Sequence, residues 1–264
     1  MVSDDERFNW RYGVYNQRLV QAIGTYLGDH YQLELAGRLA NTLWYDEISG
    51  GRGYAHWAIS GTVADPSDDS FTDTEARFRT RPEARSTRRW LDTRDIAGAD
   101  VYELLGLESV INIGRLQLAG EFQNMWLQRK LGSPSDNLRF YGGYAYVSYF
   151  LTGEHVPWNR RNGVLGRVKP HENFWLVDKC GGGIGHGLGA WQIAARYSHA
   201  DFSNDDIFGG IGESLTVGLN WHWNANARMQ FNFIYGSIDD RDDGDGGLTS
   251  TDYSIFGTRL MVDF

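Results

Sequence analysis

Two stretches near the C-terminus decide the fold of this chain of 264 residues. Residues 214–235 read SLTVGLNWHWNANARMQFNFIY, and residues 256–264 read FGTRLMVDF. Apolar and polar side chains alternate in both, and a short turn at residues 224–226 divides the first stretch into two segments. Because successive side chains of a β-strand point to opposite faces, this alternation predicts antiparallel strands with one apolar and one polar face. The last of these strands ends on the aromatic Phe264.

The same period of two recurs along most of the chain. Every second residue is apolar in segments near residues 33–43, 55–59, 105–111, 116–126 and 191–197, and polar residues take most of the positions between them. A further segment, rich in tyrosine, covers residues 140–151. We therefore expect about ten to twelve strands, each close to the length that a tilted strand needs to cross a bilayer.

Composition favours β-structure and excludes several classes of protein. Aromatic residues make up 14% of the chain, and 33 glycines stand against 5 prolines. The net charge of −9 argues against a nucleic-acid partner, because surfaces that bind nucleic acid need a basic excess. No run reaches the roughly 18 apolar residues that a membrane-spanning helix requires. The negative mean hydropathy does not argue against membrane strands, because only half of their side chains face lipid.

A sheet with one apolar face fits a bilayer only when it closes into a barrel, because lipid offers no partner for the backbone groups of an open edge. The alternative is a soluble antiparallel β-sandwich, such as a module that binds glycans through exposed tryptophans. Aromatic residues near strand ends, among them Trp191, Trp221 and Tyr235, favour the barrel because such residues form girdles at bilayer interfaces. We therefore predict an all-β fold, an antiparallel transmembrane β-barrel in the outer membrane of a Gram-negative type of envelope.

The barrel is expected to be a single domain formed by residues 1–264. The first residues, MVSDDER, do not form the basic and apolar leader that an outer-membrane protein requires. We therefore also expect that the N-terminal part of the protein is missing from this sequence.

The expected side of each connection follows when the C-terminus is placed on the periplasmic side, since barrels have brief periplasmic turns and longer external loops. Residues 224–226 then form a periplasmic turn, and residues 81–99, 201–212 and 239–250 form external loops. Residues 152–187 fall on the periplasmic side, where so long a connection is unexpected. A strand hidden inside this segment would account for its length.

The arginine-rich stretch RFRTRPEAR, residues 77–85, is the strongest candidate for a functional site. On a strand, Arg77, Arg79 and Arg81 project to one face at intervals of roughly 7 Å. Such a row of cations cannot face lipid, so it must line water, where guanidinium groups bind oxyanions through paired hydrogen bonds. The alternative is a solvated edge strand whose charge is balanced by Glu75, Glu83, Asp92 and Asp95.

A second basic group consists of Arg160, Arg161, Arg167 and Lys169. At the periplasmic mouth of a pore, this group would receive anions that leave the channel. As part of a solvated loop, it would have no such role, and the sequence does not decide between the two interpretations.

Motifs for catalysis or metal binding are weak in this chain. The glycine-rich residues 180–189 resemble a phosphate-binding loop, but such a loop opens a helix, whereas here a strand follows. The acidic residues 239–245 lack the spaced ligands of a calcium loop, and the scattered histidines have no paired spacing for zinc. A barrel enzyme that modifies lipids is disfavoured because no serine and histidine pair shares a strand face. We therefore expect no enzyme activity, no cofactor and no metal.

Six stretches of the chain match the pattern of one known family. They are RFRTRPE at 77–83, SYFLTGEH at 148–155, GVLGRVKP at 163–170, GAWQIAARYS at 189–198, LNW at 219–221 and GTRLMVDF at 257–264. With these stretches the chain resembles the phosphate-selective porin O and P family from about residue 33 onward. The resemblance implies a porin-type barrel of roughly sixteen strands, of which this chain corresponds to roughly the C-terminal two-thirds.

The resemblance also implies a function. Members of the family pass inorganic phosphate and related anions passively across outer-membrane lipid, usually as homotrimers. The family's arginine ladder falls on Arg77, Arg79, Arg81 and Arg85 of this chain. Its central constriction comes largely from a more N-terminal region, for which this sequence has no counterpart.

Overall fold

The computed structural model describes residues 1–16, 33–69, 72–85, 89–178, 181–242, 244 and 247–263. Phe264, on which the C-terminal alternation ends, and Cys180, which begins the glycine-rich stretch, lie outside these residues. The described residues form strands and turns, and none of them belongs to a helix long and apolar enough to cross a membrane.

The strands of the described residues are numbered in chain order. They are β1 (Phe8–Asn16), β2 (Leu33–Tyr45), β3 (Gly53–Ala64), β4 (Ser67–Asp69), β5 (Thr72–Ala76), β6 (Arg79–Thr80), β7 (Leu91–Asp92), β8 (Ile96–Ala97), β9 (Ala99–Ile113), β10 (Leu116–Arg129), β11 (Asn137–Phe150), β12 (Trp158–Asn159), β13 (Val164–Leu165), β14 (Trp175–Asp178), β15 (Ile184–Gly187), β16 (Ala190–Asn204), β17 (Ile207–His222), β18 (Ala227–Asp242) and β19 (Leu248–Val262).

The long strands form one 10-stranded antiparallel sheet in the order β1-β2-β3-β9-β10-β11-β16-β17-β18-β19. Each long strand therefore pairs with the next long strand along the chain, which is the arrangement of an up-and-down barrel. The prediction of an all-β, porin-type fold is confirmed. In the described part of the chain, β1 and β19 are the two edges of the sheet and do not pair with each other.

The two faces of this sheet differ in chemistry, as the alternation predicts. Large apolar side chains cover one face and are exposed, with Val217 at 54%, Leu260 at 59% and Phe256 at 73%. The same face carries Leu35, Leu39, Leu107, Leu118, Ile193, Leu215, Phe233 and Tyr235, all of them exposed. Because these side chains are not packed beneath a second sheet, the described residues do not form the β-sandwich of the alternative interpretation.

Short turns connect the strands at one end of the sheet. Residues 114–115 join β9 to β10, and residues 223–226 join β17 to β18. At the opposite end, two expected external loops are shorter than predicted, because strands run through most of residues 201–212 and 239–250. Backbone pairing does not require apolar side chains, so polar residues extend the sheet beyond the apolar band. Shifts of register within residues 201–203 and 238–241 accompany these extensions.

The described part of residues 152–187 does contain strands, as the sequence analysis suggested, but they are short and none of them belongs to the 10-stranded sheet. Strand β11 pairs directly with β16, from Phe150 opposite Gln192 to Tyr141 opposite Asp201. The intervening segment instead forms two short hairpin-like pairs, β12 with β13 and β14 with β15, outside the main sheet. We call residues 151–189 the second insert.

The first insert is residues 65–98, between β3 and β9, and it folds over the polar face of the sheet. Its Phe78 and Ile96 pack in a hydrophobic cluster with Met125, Leu127 and Phe140 of the sheet. Burying one large apolar side chain stabilises a fold by about 1.5–3 kcal/mol. The described residues 81–85 and 89–98 belong to a connection at the end opposite the short turns, which is the side that the sequence analysis expected. This connection is packed on the sheet, whereas a solvated loop would not be.

Candidate functional site

A cavity of about 620 Å³ lies between the first insert and the polar face of β10, β11, β16 and β17. The insert contributes Arg77, Arg79 and Arg81 to its lining, and the sheet contributes Tyr144 and Arg196. Three arginines of the predicted ladder and one arginine of the sheet therefore border the same space. We call this space the upper cavity.

The arginine stretch does not form the continuous strand that the sequence analysis expected. Only Arg79–Thr80 is a strand, and it pairs with Leu91–Asp92. Pro82 lies two residues after Thr80 and has no N–H, so it cannot extend the pairing as a donor. The ring of Phe78 packs against Tyr102 and Phe140, with centroids 5.7 Å and 6.0 Å apart, and anchors the stretch to the sheet.

Arg77 is held by two carboxylates. Its guanidinium donates to both oxygens of Asp92, at 2.8 Å and 2.7 Å, and lies 3.4 Å from Asp95. The hydrogen bonds to Asp92 raise the pKa of Arg77. Burial by itself would raise the pKa of Asp92, but the hydrogen bonds from Arg77 and the Arg94 backbone outweigh it and lower that pKa. The charge of Arg77 is therefore largely compensated within the insert.

The other arginines of the stretch form a cluster of like charges. Loss of hydration, followed by repulsion from Arg81, Arg79 and Arg85, lowers the pKa of Arg89. Among the side chains that the structure describes, which do not include those of residues 67–75, no carboxylate is ion-paired with Arg79 or Arg85. Arg85 is exposed and lies outside the lining of the upper cavity. Arg79, Arg81, Arg85 and Arg89 thus create a positive region beside the cavity.

A second space, of about 700 Å³, lies along the polar face toward the end with the short turns, and we call it the lower cavity. A chain of amide hydrogen bonds crosses four strands in its wall. Gln230 donates to Asn220 at 2.7 Å, Asn220 donates to Gln192 at 3.0 Å, and Gln192 donates to Ser148 at 3.0 Å. Because the amide groups bond to one another, this row of side chains is polar and uncharged.

The second basic group is dispersed in the structure. Arg160 forms an ion pair with Glu47 and packs over the Tyr45 ring at 4.8 Å, and Arg161 is exposed. Arg167 lines the lower cavity and pairs with Asp263 at 2.8 Å. Lys169 is exposed. Of the four cations, Arg167 is the one positioned to meet a solute in a cavity.

The second insert is fixed to β2 and β3 by a cluster that the sequence analysis did not identify. The Trp158 ring packs on Tyr54 and His56 and donates to the Thr42 hydroxyl at 2.9 Å. Arg38 donates to the backbone oxygen of Gly163 at 3.1 Å and also pairs with Glu108. The even-numbered positions of β2 up to Thr42 and those of β3 belong to the polar face. This alternation is the signal that places Arg38 and His56 there.

Arg196 was also missed as a site residue, although the alternation around it had already placed it opposite the apolar face. The missing information was its neighbour across the cavity, Glu83 of the first insert. The described ranges hold no group of three His, Cys, Asp or Glu side chains that could bind a metal ion. The site offers charge and hydrogen bonding, which are the means of binding and guiding an ion.

Comparison with known proteins identifies the family. A profile described as Phosphate-selective porin O and P matches residues 28–264. An uncharacterized protein of Caulobacter vibrioides is 28% identical over 212 residues, which are 80% of this chain and 38% of that protein. Porin O of Pseudomonas aeruginosa is 24% identical over 166 residues, which are 56% of this chain and 34% of Porin O. The aligned region thus spans 38% and 34% of the length of these relatives. The family profile matches most of the residues of this chain, and the chain therefore belongs to the phosphate-selective porin O and P family.

Proposed function

We propose that this chain forms the wall of an outer-membrane pore through which inorganic phosphate or related small oxyanions diffuse passively. One observation carries the proposal. The upper cavity, bordered by Arg79, Arg81 and Arg196, lies on the polar face of a sheet whose other face is apolar and exposed. Membership of the family supports the pore, and the chemistry of the guanidinium groups supports the anion. Such passage needs no chemical step.

Fixed cations beside water favour anions for an electrostatic reason. Two opposite charges 4 Å apart attract by about 4 kcal/mol at the effective dielectric constant of about 20 near a protein surface. This attraction offsets part of the cost of removing water from the anion. Several neighbouring arginines offer the anion a series of weak sites. It can therefore leave one site for the next, because no single site binds it tightly. Arg77 contributes less than Arg79 and Arg85, because Asp92 and Asp95 already compensate its charge.

The ends of the pathway follow from the same proposal. Arg79, Arg81, Arg85 and Arg89 collect anions near the upper cavity, and Arg167 meets them beside the lower cavity. The exposed apolar face contacts outer-membrane lipid. A homotrimer is the assembly that we predict, and sedimentation of the detergent-solubilised protein measures it.

The proposal is tested by ion selectivity. Protein purified from outer membranes is inserted into planar bilayers, and the reversal potential is measured in a potassium chloride gradient. Replacing Arg79, Arg81 and Arg85 together by glutamine should lower the preference for chloride over potassium at least about fivefold, because the local anion concentration near a basic surface falls when its charge is removed.

The matched control is Arg94→Gln. Arg94 lies in the same insert, pairs with Asp242 at 3.2 Å and is not part of the lining of the upper cavity. This variant should keep the original selectivity. An unchanged reversal potential in the triple variant would show that the arginine stretch does not select anions.

A further inference from the structure

A carboxylate of the protein itself is held like a bound anion between the first insert and the sheet. One oxygen of Glu83 lies 3.0 Å from Arg196 Nε and also accepts a hydrogen bond from the Ser198 hydroxyl. The other oxygen accepts a hydrogen bond from the Thr216 hydroxyl. One guanidinium and two hydroxyl groups therefore converge on a single carboxylate.

The sheet holds these donors in place independently of Glu83. Arg196 and Ser198 are neighbours on the polar face of β16, and Thr216 is directly opposite Arg196 on β17. The Arg196 guanidinium lies 3.8 Å from the centre of the Tyr144 ring, and its Nε lies 3.0 Å from the Ser198 hydroxyl. A guanidinium fixed against an aromatic ring loses little freedom on binding and presents its donors in a set geometry.

This group of donors lies where the two cavities meet. Glu83 and Arg196 line the upper cavity and the lower cavity alike. The side chains remain accessible, with 18% of Glu83 and 38% of Arg196 exposed. The ion pair therefore lies on the boundary between the two cavities.

We propose that Arg196, Ser198 and Thr216 form a subsite for a small oxyanion, and that Glu83 occupies this subsite as an internal competitor. The inference rests on the proposed function, because it concerns the same pathway. A passing anion replaces the Glu83 carboxylate at Arg196, and Glu83 returns when the anion leaves. The carboxylate thus limits how long an anion stays, since like charges that are brought together repel. Glu83 is a specificity-determining residue of the pathway, although it carries the same sign of charge as the solute.

The test uses channels of the protein purified from outer membranes, with inorganic phosphate as the probe. Phosphate is added to a chloride solution, and the phosphate concentration that halves the chloride current is measured. Glu83→Gln should lower this concentration at least about tenfold, because it removes a like charge from the subsite and keeps the shape of the side chain. Combining Glu83→Gln with Arg196→Gln should abolish this tighter block by phosphate, because the subsite then lacks its cation.

Glu121→Gln is the matched control. Glu121 lies on the polar face, lines the upper cavity and is hydrogen-bonded to Tyr144, the ring under Arg196. Its replacement by glutamine removes a like charge from the same region but leaves the Glu83 carboxylate at Arg196. If the Glu83→Gln protein does not insert into bilayers as a channel, Glu83→Asp is measured in its place. Its carboxylate is one methylene shorter and is expected to lose part of the contact with Arg196 while it keeps its charge, so the half-blocking concentration should fall by a smaller factor.

Three results would overturn the subsite. The half-blocking phosphate concentration could be unchanged in the Glu83 variant, it could fall equally in Glu121→Gln, or its fall could persist when Arg196 is also replaced. Each leaves the proposed function intact as long as the variant with Arg79, Arg81 and Arg85 replaced still loses its anion preference. If the triple variant keeps its preference for anions, the proposed function is refuted, whatever the outcome for the subsite.

Discussion

Arginine placed at Val217 tests whether lipid covers the apolar face of the sheet. Val217 is 54% exposed and lies opposite Phe233 in the pairing of β17 with β18. It is four residues from Trp221, which corresponds to about 13 Å along a strand. With the strand tilt of roughly 40° found in membrane barrels, this distance is about 10 Å in depth, close to the middle of an apolar band about 25 Å tall.

The loss of folding free energy expected for Val217→Arg follows from this depth. An arginine on the lipid face near the midplane destabilises a barrel by about 2–4 kcal/mol, which changes the folding equilibrium by roughly 30-fold to 800-fold. In water, the same substitution at a half-exposed position costs no more than about 0.5 kcal/mol. Asn232 precedes Phe233, so it lies at almost the same depth but on the polar face, where it lines the lower cavity. Asn232→Arg should therefore be nearly neutral.

The assay is reversible unfolding by urea after insertion of the protein into lipid vesicles. With a slope of about 2 kcal/mol per molar urea, Val217→Arg should lower the midpoint by about 1–2 M. Asn232→Arg should leave the midpoint within a few tenths of a molar of the original. Equal midpoints for both variants would refute the assignment of the two faces. A larger loss for Asn232→Arg would mean that the assignment is inverted.

Three further predictions concern the connections. Asp206→Ala should destabilise the protein by about 2–3 kcal/mol, because Arg129, whose side chain is 3% exposed, loses its carboxylate partner at 2.8 Å; adding Arg129→Met should recover much of the loss in the same urea assay. Trp158→Ala should weaken the attachment of the second insert by about 3 kcal/mol and raise the single-channel conductance, whereas the exposed Trp175→Ala should change neither. Burial by itself would raise the pKa of Glu154, but hydrogen bonds from the His171 backbone and the Thr152 hydroxyl lower it below its ordinary value of 4.5. The ionised Glu154 therefore stabilises the second insert above about pH 4.5, and this stabilisation is lost as the pH falls through the lowered pKa. The second insert should become easier to cleave by an acid protease in that pH range. Glu154→Gln should remove this pH dependence.

The faces of the sheet and the short turn at residues 224–226 were predictable from the sequence, and the longer connections were not. Alternation in residues 214–235 assigns Val217 and Phe233 to one face because side-chain direction depends only on the local strand backbone. It does not say where pairing stops, so the strands around residues 201–212 and 239–250 extend farther than expected. Nor does it reveal that β11 pairs with β16, which lies about 40 residues farther along the chain.

The candidate site divides in the same way. Local sequence is enough to predict the strands, their apolar and polar faces and the cluster of arginines at residues 77–85, because these are properties of neighbouring residues. The packing of the whole chain is needed to show that the first insert lies on the polar face, that Asp92 compensates Arg77 and that Glu83 contacts Arg196. Glu83 and Ser198 are 115 positions apart, and contacts over such separations depend on how the whole chain packs rather than on any local pattern.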